Sequence, residues 1–172
     1  MTAASAAALH KIPVRPLETA AFAPYGQIVR ARQAGGQGVG AGHDAPRQEA
    51  ELVLSNGQPR VWVMRLTRIG TRFNRIARHR KVTQCLGALG GKDWLIGVAP
   101  PGDLADSGKP RLEDIVGFRI PGDCLIKLHV ATWHAGPHFV HDAVDFFNLE
   151  LMDTNETDFH AVALGVDCVY DL

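Results

Sequence analysis

The chain has 172 residues, 46% hydrophobic and 21% charged, which is enough for one domain with a substantial core. Eighteen basic residues balance eighteen acidic ones, so charge alone offers no reason to bind nucleic acid or an anionic membrane surface. Three cysteines without metal-type spacing argue against a disulfide framework and fit a reducing, cytoplasmic setting, and no apolar stretch is long enough to span a bilayer.

In chain order, residues 1–13 read as a mobile N-terminal tail and 14–172 as a single domain. A short helix is expected within Glu18–Tyr25, followed by a flexible glycine-rich loop over Gln33–Gly42. Six short apolar runs then dominate: Arg60–Thr67, Val82–Leu86, Trp94–Val98, Ile115–Ile120, Cys124–Val130 and Val144–Leu151. They are rich in Val, Ile, Phe and Trp, too short for typical helices, and punctuated by turn pairs such as Asn56-Gly57, Gly90-Gly91 and Pro121-Gly122. A second short helix is expected over Arg111–Ile115. In the last run Val144, Phe146 and Asn148 share one face and Phe147, Leu149 and Leu151 the other, as in a strand packed between layers. Asp153–Asp158 reads as a turn with solvated carboxylates. The pattern predicts an all-β sandwich or small barrel with one or two short helices.

Two polar segments interrupt the apolar runs. Four of the eight histidines fall between His129 and His141, where an apolar run gives way to a Gly-Pro turn. Imidazoles there suit metal ligation or proton transfer, being donors and acceptors near neutral pH. His138 and His141 are expected near a rim, while His10, His43 and His160 have no supporting context. Upstream, Arg65–Lys81 holds seven cations and no acid. Arginine's planar fork suits a substrate carboxylate, with Arg78 the foremost candidate. By strand alternation, however, Arg78 points opposite to His79. Lys127, which shares parity with His129, is an alternative carboxylate anchor.

The spacing around His79 resembles the first cupin motif, with His79 at the second histidine, Gln84 at the glutamate and Gly91 at the closing glycine; Ala77 replaces the first histidine. His134 resembles the histidine of the second motif. More narrowly, RPLETAAFAPYGQIV, Arg78-His79, Thr83-Gln84, Gly91, His129, Trp133-His134 and Pro137 resemble the ureidoglycolate lyase family across residues 14–159. That resemblance implies a double-stranded β-helix (cupin-like barrel), a homodimer, and cleavage of ureidoglycolate to glyoxylate and urea in allantoin degradation. One departure is that family members carry His-Glu-x-Glu-Arg-His where this chain has Asn74-Arg75-Ile76-Ala77-Arg78-His79, so both glutamates and the first histidine are gone.

In a cupin, His79, Gln84 and His134 converge inside the barrel, a thin set for a divalent nickel, manganese or zinc ion because the amide oxygen is uncharged. Elimination of urea from a small hydroxy acid needs a hydroxyl proton removed and the leaving nitrogen protonated, steps a histidine serves near its ordinary pKa. His129 and His134 are the catalytic candidates, with Lys127, Trp133 and Arg78 as the substrate-binding ones. The missing glutamates motivate an alternative, a cupin isomerase or lactone hydrolase acting on a small sugar acid. A non-catalytic small-ligand binder is the third reading.

Overall fold

Strand geometry puts successive side chains on opposite faces, and burial follows that period closely. Along Pro59–Thr67 exposed and half-buried residues alternate without a break, and along Ala143–Leu151 half-buried and buried residues alternate as far as Glu150. The computed structural model describes residues 9–30, 49–105 and 108–172. Its strands are β1 (Leu9–Pro16), β2 (Gly26–Arg30), β3 (Pro59–Thr67), β4 (Arg72–Arg78), β5 (Gln84–Ala88), β6 (Gly91–Ala99), β7 (Val116–Gly122), β8 (Cys124–Leu128), β9 (Trp133–His138), β10 (Ala143–Leu151) and β11 (His160–Asp171). Two one-turn helices, α1 (Thr19–Phe22) and α2 (Thr154–Thr157), and a 3₁₀ turn at Leu112–Asp114 complete the fold.

The strands form two sheets. One closes into a barrel in the order β1-β11-β4-β9-β6-β7, and the other is a five-stranded sheet in the order β2-β8-β5-β10-β3. This is the all-β, cupin-like architecture expected. Ile12, Ile76, Leu95, Trp133, Ala135, Leu164, Cys168 and Tyr170 form one core, drawn entirely from strands of the closed barrel. A second core joins the two sheets, with Leu86, Ile126, Leu128 and Phe146 of the five-stranded sheet against Trp94, Ile96, Val98, Phe118 and Ile120 of the other. Strand β6 serves both cores by alternation, Leu95 and Ala99 on one side and Trp94, Ile96 and Val98 on the other.

The six expected apolar runs all coincide with strands, to within a few residues. The expected helices shrink to α1 and the 3₁₀ turn. The loop expected over Gln33–Gly42, together with His43, lies outside the described residues. The tail expected over residues 1–13 is corrected in part: residues 1–8 lie outside the described set, whereas Leu9–Pro13 pair in parallel with Asp167–Asp171 as the first half of β1. The second half, Val14–Pro16, pairs with β7, so β1 bridges the barrel between its last strand and β7. Ile12 on this strand is fully buried. Ile12→Ala should therefore cost about 2–5 kcal/mol of unfolding free energy, read by denaturant titration. No change would mean that this segment is a tail after all.

Candidate functional site

The sheet containing β4 and β9 has two faces with different chemistry, set by alternation. Ala77 on β4 sits directly across from His134 on β9, so their side chains share a face. Ile76 and Trp133, one residue earlier on each strand, belong to the barrel core on the opposite face. His79 follows β4 with the parity of Ala77. Its ring lies 5.2 Å from that of His134, centroid to centroid. The two distant imidazoles therefore meet, as the motif spacing implies.

They line a cavity of about 380 Å³ between the sheets. Its polar part is His79, Gln84, His134, His138, Asn148, Glu150 and the exposed Asn155; Met64, Leu66, Leu86 and Pro137 form apolar wall, and Phe159, half-exposed, packs beside His79. Each imidazole of the pair is oriented by its own backbone bond. His79 Nδ1 donates to the Asp158 carbonyl at 3.0 Å, and His134 Nδ1 donates to the Thr132 carbonyl at 3.1 Å. Both Nε2 atoms are thereby left as lone-pair nitrogens. Burial drives His134 down to about 3; the neighbouring His79 adds to the fall and the Thr132 carbonyl opposes it. His138 donates from Nδ1 to the Tyr170 hydroxyl, which in turn donates to the Ala135 carbonyl, and burial lowers its pKa to about 4.

The loops supporting the pair are tightly tied. The Asp158 carboxylate accepts from the backbone N–H of Arg80 at 2.7 Å and of Lys81 at 2.9 Å, fixing the turn that follows His79. Asp158 is buried, which corrects the expectation that every carboxylate of 153–158 is solvated. Ala131 adopts a left-handed conformation (φ 66°) and its N–H donates to the His79 carbonyl, joining the turn before His134 directly to His79.

A fully buried carboxylate, Glu150, was not foreseen. Three donors converge on it: Arg60 at 2.7 Å, Trp62 Nε1 at 3.0 Å and Gln84 Nε2 at 3.0 Å. A buried carboxylate needs such partners because desolvation otherwise opposes its charge. Sequence parity could have found it, since Glu150 continues the face of Phe146 and Asn148. Arg60 lies directly across β3 from Glu150, and Trp62 across from Asn148.

The remaining candidates lie elsewhere. Arg78 occupies the opposite face from the cavity, buried over the Trp133 ring at 4.4 Å, donating to the Asp103 carbonyl and to His160 Nδ1. The alternation argument against it therefore holds, and the same argument removes Trp133 from the cavity wall. Lys127 lies on β8 between Ile126 and Leu128, both in the inter-sheet core, so it points away from the cavity. Its Nζ donates to His129 Nδ1 at 3.0 Å, and His129 Nε2 donates to the Ala23 carbonyl at 3.1 Å. The sequence-based placement of His129, Lys127, Trp133 and Arg78 at one site with His134 is thus corrected: none of the four lines this cavity. His138, expected at the rim, is buried within it, whereas His141 is half-exposed and contacts Asp93.

A divalent ion fits these residues poorly. Among the described residues, no group of three or more His, Cys, Asp or Glu side chains is arranged to hold a metal. The expected set is two imidazoles and the uncharged Gln84 amide, and the nearby Glu150 carboxylate is already engaged by three donors. Ala77 lies directly across from His134 and brings no charge to it.

Both shifted histidines have a sign consequence. In the unfolded chain they take up protons near pH 6.5, but in the fold they resist protonation until about pH 4 (His138) and about pH 3 (His134). Stability should therefore fall as pH drops from about 6.5 towards 4, with a slope approaching two protons. Thermal unfolding between pH 7 and 4 measures this, and His134→Asn should flatten the slope by about one proton. A flat profile in the parent protein would show that these rings are not buried in neutral form.

Comparison with protein families gives a match to ureidoglycolate lyase over residues 9–169, nearly the whole chain. Comparison with curated proteins gives no match. No helix among the described residues is long and apolar enough to cross a membrane. A match of that extent, on a cupin-like barrel that brings His79 and His134 together in one cavity, places the chain in the ureidoglycolate lyase family of enzymes.

Proposed function

We propose that this protein cleaves ureidoglycolate to glyoxylate and urea, with His79 and His134 carrying the proton. The observation that carries this reading is their pairing: two imidazoles 5.2 Å apart, each with Nδ1 held by a backbone carbonyl and Nε2 left as an acceptor. The substrate hydroxyl gives its proton to one Nε2, the carbon–oxygen double bond forms, the carbon–nitrogen bond breaks, and the departing urea nitrogen takes the proton back. The proton lost by oxygen is the one gained by nitrogen, so the reaction balances on the imidazoles alone. Oxygen and nitrogen sit on the same carbon, within reach of a single ring.

Among the described residues, no Lys or Arg side chain lines the cavity. The substrate carboxylate then lies against neutral donors and the imidazole pair, and its charge raises the proton affinity of whichever ring acts as base. The carboxylate thus opposes the burial that lowers the pKa of His134. Three free cysteines support a cytoplasmic setting. A homodimer is part of the proposal, supported by edge strand β3, which exposes Val61 and Val63.

Urea release from racemic ureidoglycolate, measured above the spontaneous background, tests the assignment. His134→Ala and His79→Ala should each lower kcat by at least about 100-fold, whereas His129→Ala and Lys127→Ala, outside the cavity, should stay within a few-fold. Chelator treatment should leave the rate unchanged. Unchanged kinetics in a folded His134→Ala variant would refute the assignment, and a chelator-induced loss restored by nickel, manganese or zinc would show that the two imidazoles and Gln84 hold a metal.

A further inference from the structure

Asn148 is 3% exposed, lines the cavity, and its Oδ1 has no hydrogen-bond partner. The surroundings explain why. Its cross-strand neighbours on the two flanking strands are Trp62 on β3 and Leu86 on β5. Trp62 has one N–H and gives it to Glu150, and Leu86 has no donor. Along β10 the next residues on the same face are Phe146, which is apolar, and Glu150, whose carboxylate already accepts from Arg60, Trp62 and Gln84. None of these neighbours gives its hydrogen bond to Oδ1. A buried carbonyl oxygen left in this state costs stability and does nothing for the fold.

We propose that Asn148 is the specificity residue for the terminal carbamoyl group of the substrate. This rests on the functional reading above and deepens it, by assigning the end of the ligand that the imidazoles do not touch. A primary carbamoyl group is the natural complement of a carboxamide side chain: once the side-chain amide turns its buried Oδ1 towards the cavity, the ligand N–H donates to Oδ1, and the Asn148 Nδ2–H is available to the ligand carbonyl oxygen. The cavity then divides its labour. The imidazole pair meets the carbon bearing hydroxyl and carboxylate, and Asn148 reads the –CONH₂ end. A ligand with a methyl group in place of the terminal NH₂ leaves Oδ1 unanswered, and sites built to bond a polar group reject analogues that lack it.

Two unreactive probes isolate that contact. N-carbamoylglycine and N-acetylglycine share a carboxylate and an amide and differ in a terminal NH₂ against CH₃. By calorimetry the parent protein should bind the carbamoyl compound about tenfold more tightly. Asn148→Leu should abolish that preference by weakening only the carbamoyl probe, with a melting temperature equal to or above the parent's, because the substitution removes an unpartnered polar group. In turnover, the same variant should raise KM more than it lowers kcat. Equal affinities in the parent protein, or binding of neither probe, would overturn the proposal, and so would an Asn148→Leu variant that unfolds or keeps the preference. The outcomes separate from those of the functional reading. A parent protein that prefers the carbamoyl probe yet releases no urea retains Asn148 as the carbamoyl reader and loses only the lyase assignment; one that releases urea without the preference does the reverse.

Discussion

Strand alternation in one shared layer organises this molecule. Strands β4 and β9 belong to the closed barrel and also form one wall of the cavity, so neighbouring residues on them serve opposite sides. Ile76 and Trp133 build the barrel core, and Ala77 and His134 face the second sheet. A one-residue slip in either strand would exchange the two sets, placing imidazole in the apolar barrel and indole in the cavity. The apolar residues thus hold the histidines in register: hydrophobic burial on one face specifies polar chemistry on the other.

The cavity is an unusual electrostatic environment for a small anionic substrate. Among the described residues, its lining contains a carboxylate and no lysine or arginine. Glu150 is compensated from behind by Arg60, which reaches it across the sheet, so the pair contributes little net charge. What remains is a pocket of imidazoles, amides and apolar side chains, in which a charge brought by the ligand acts at a lower dielectric than in bulk water. In the proposed mechanism an arriving carboxylate favours the protonated form of His134, which burial disfavours in the empty cavity.

Much of the fold was legible because its strands are apolar and short. The runs that became β3, β5, β6, β7, β8 and β10 were visible from composition and turn residues. The strands that escaped notice have specific reasons. β4 reads as a cationic stretch, because Arg72, Arg75 and Arg78 mask its alternation, and β9 carries Gly136-Pro137, which resembles a turn. β1 looked like a tail because its pairing is parallel and with distant strands, which no local pattern reveals. At the site, the meeting of His79 with His134 followed from motif spacing, and the misplacement of Arg78 was foreshadowed by parity. Glu150 and Asn148 were missed because their roles depend on what lies across the sheet. Lys127 and His129 were misjudged because shared parity with each other says nothing about which side is hollow.

The parallel seam that β1 makes with β11 has a consequence for how the chain is built. Leu9 and Asp167 are partners, so strands emerging first from the ribosome wait for those emerging near the end. Until β11 is available, β1 and β4 each present an unpaired edge, and the carbonyl of Asp158 that orients His79 is missing as well. Such edges attract other strands during synthesis. Vectorial production therefore leaves the closing of the barrel and the orienting of His79 to the arrival of the same late segment.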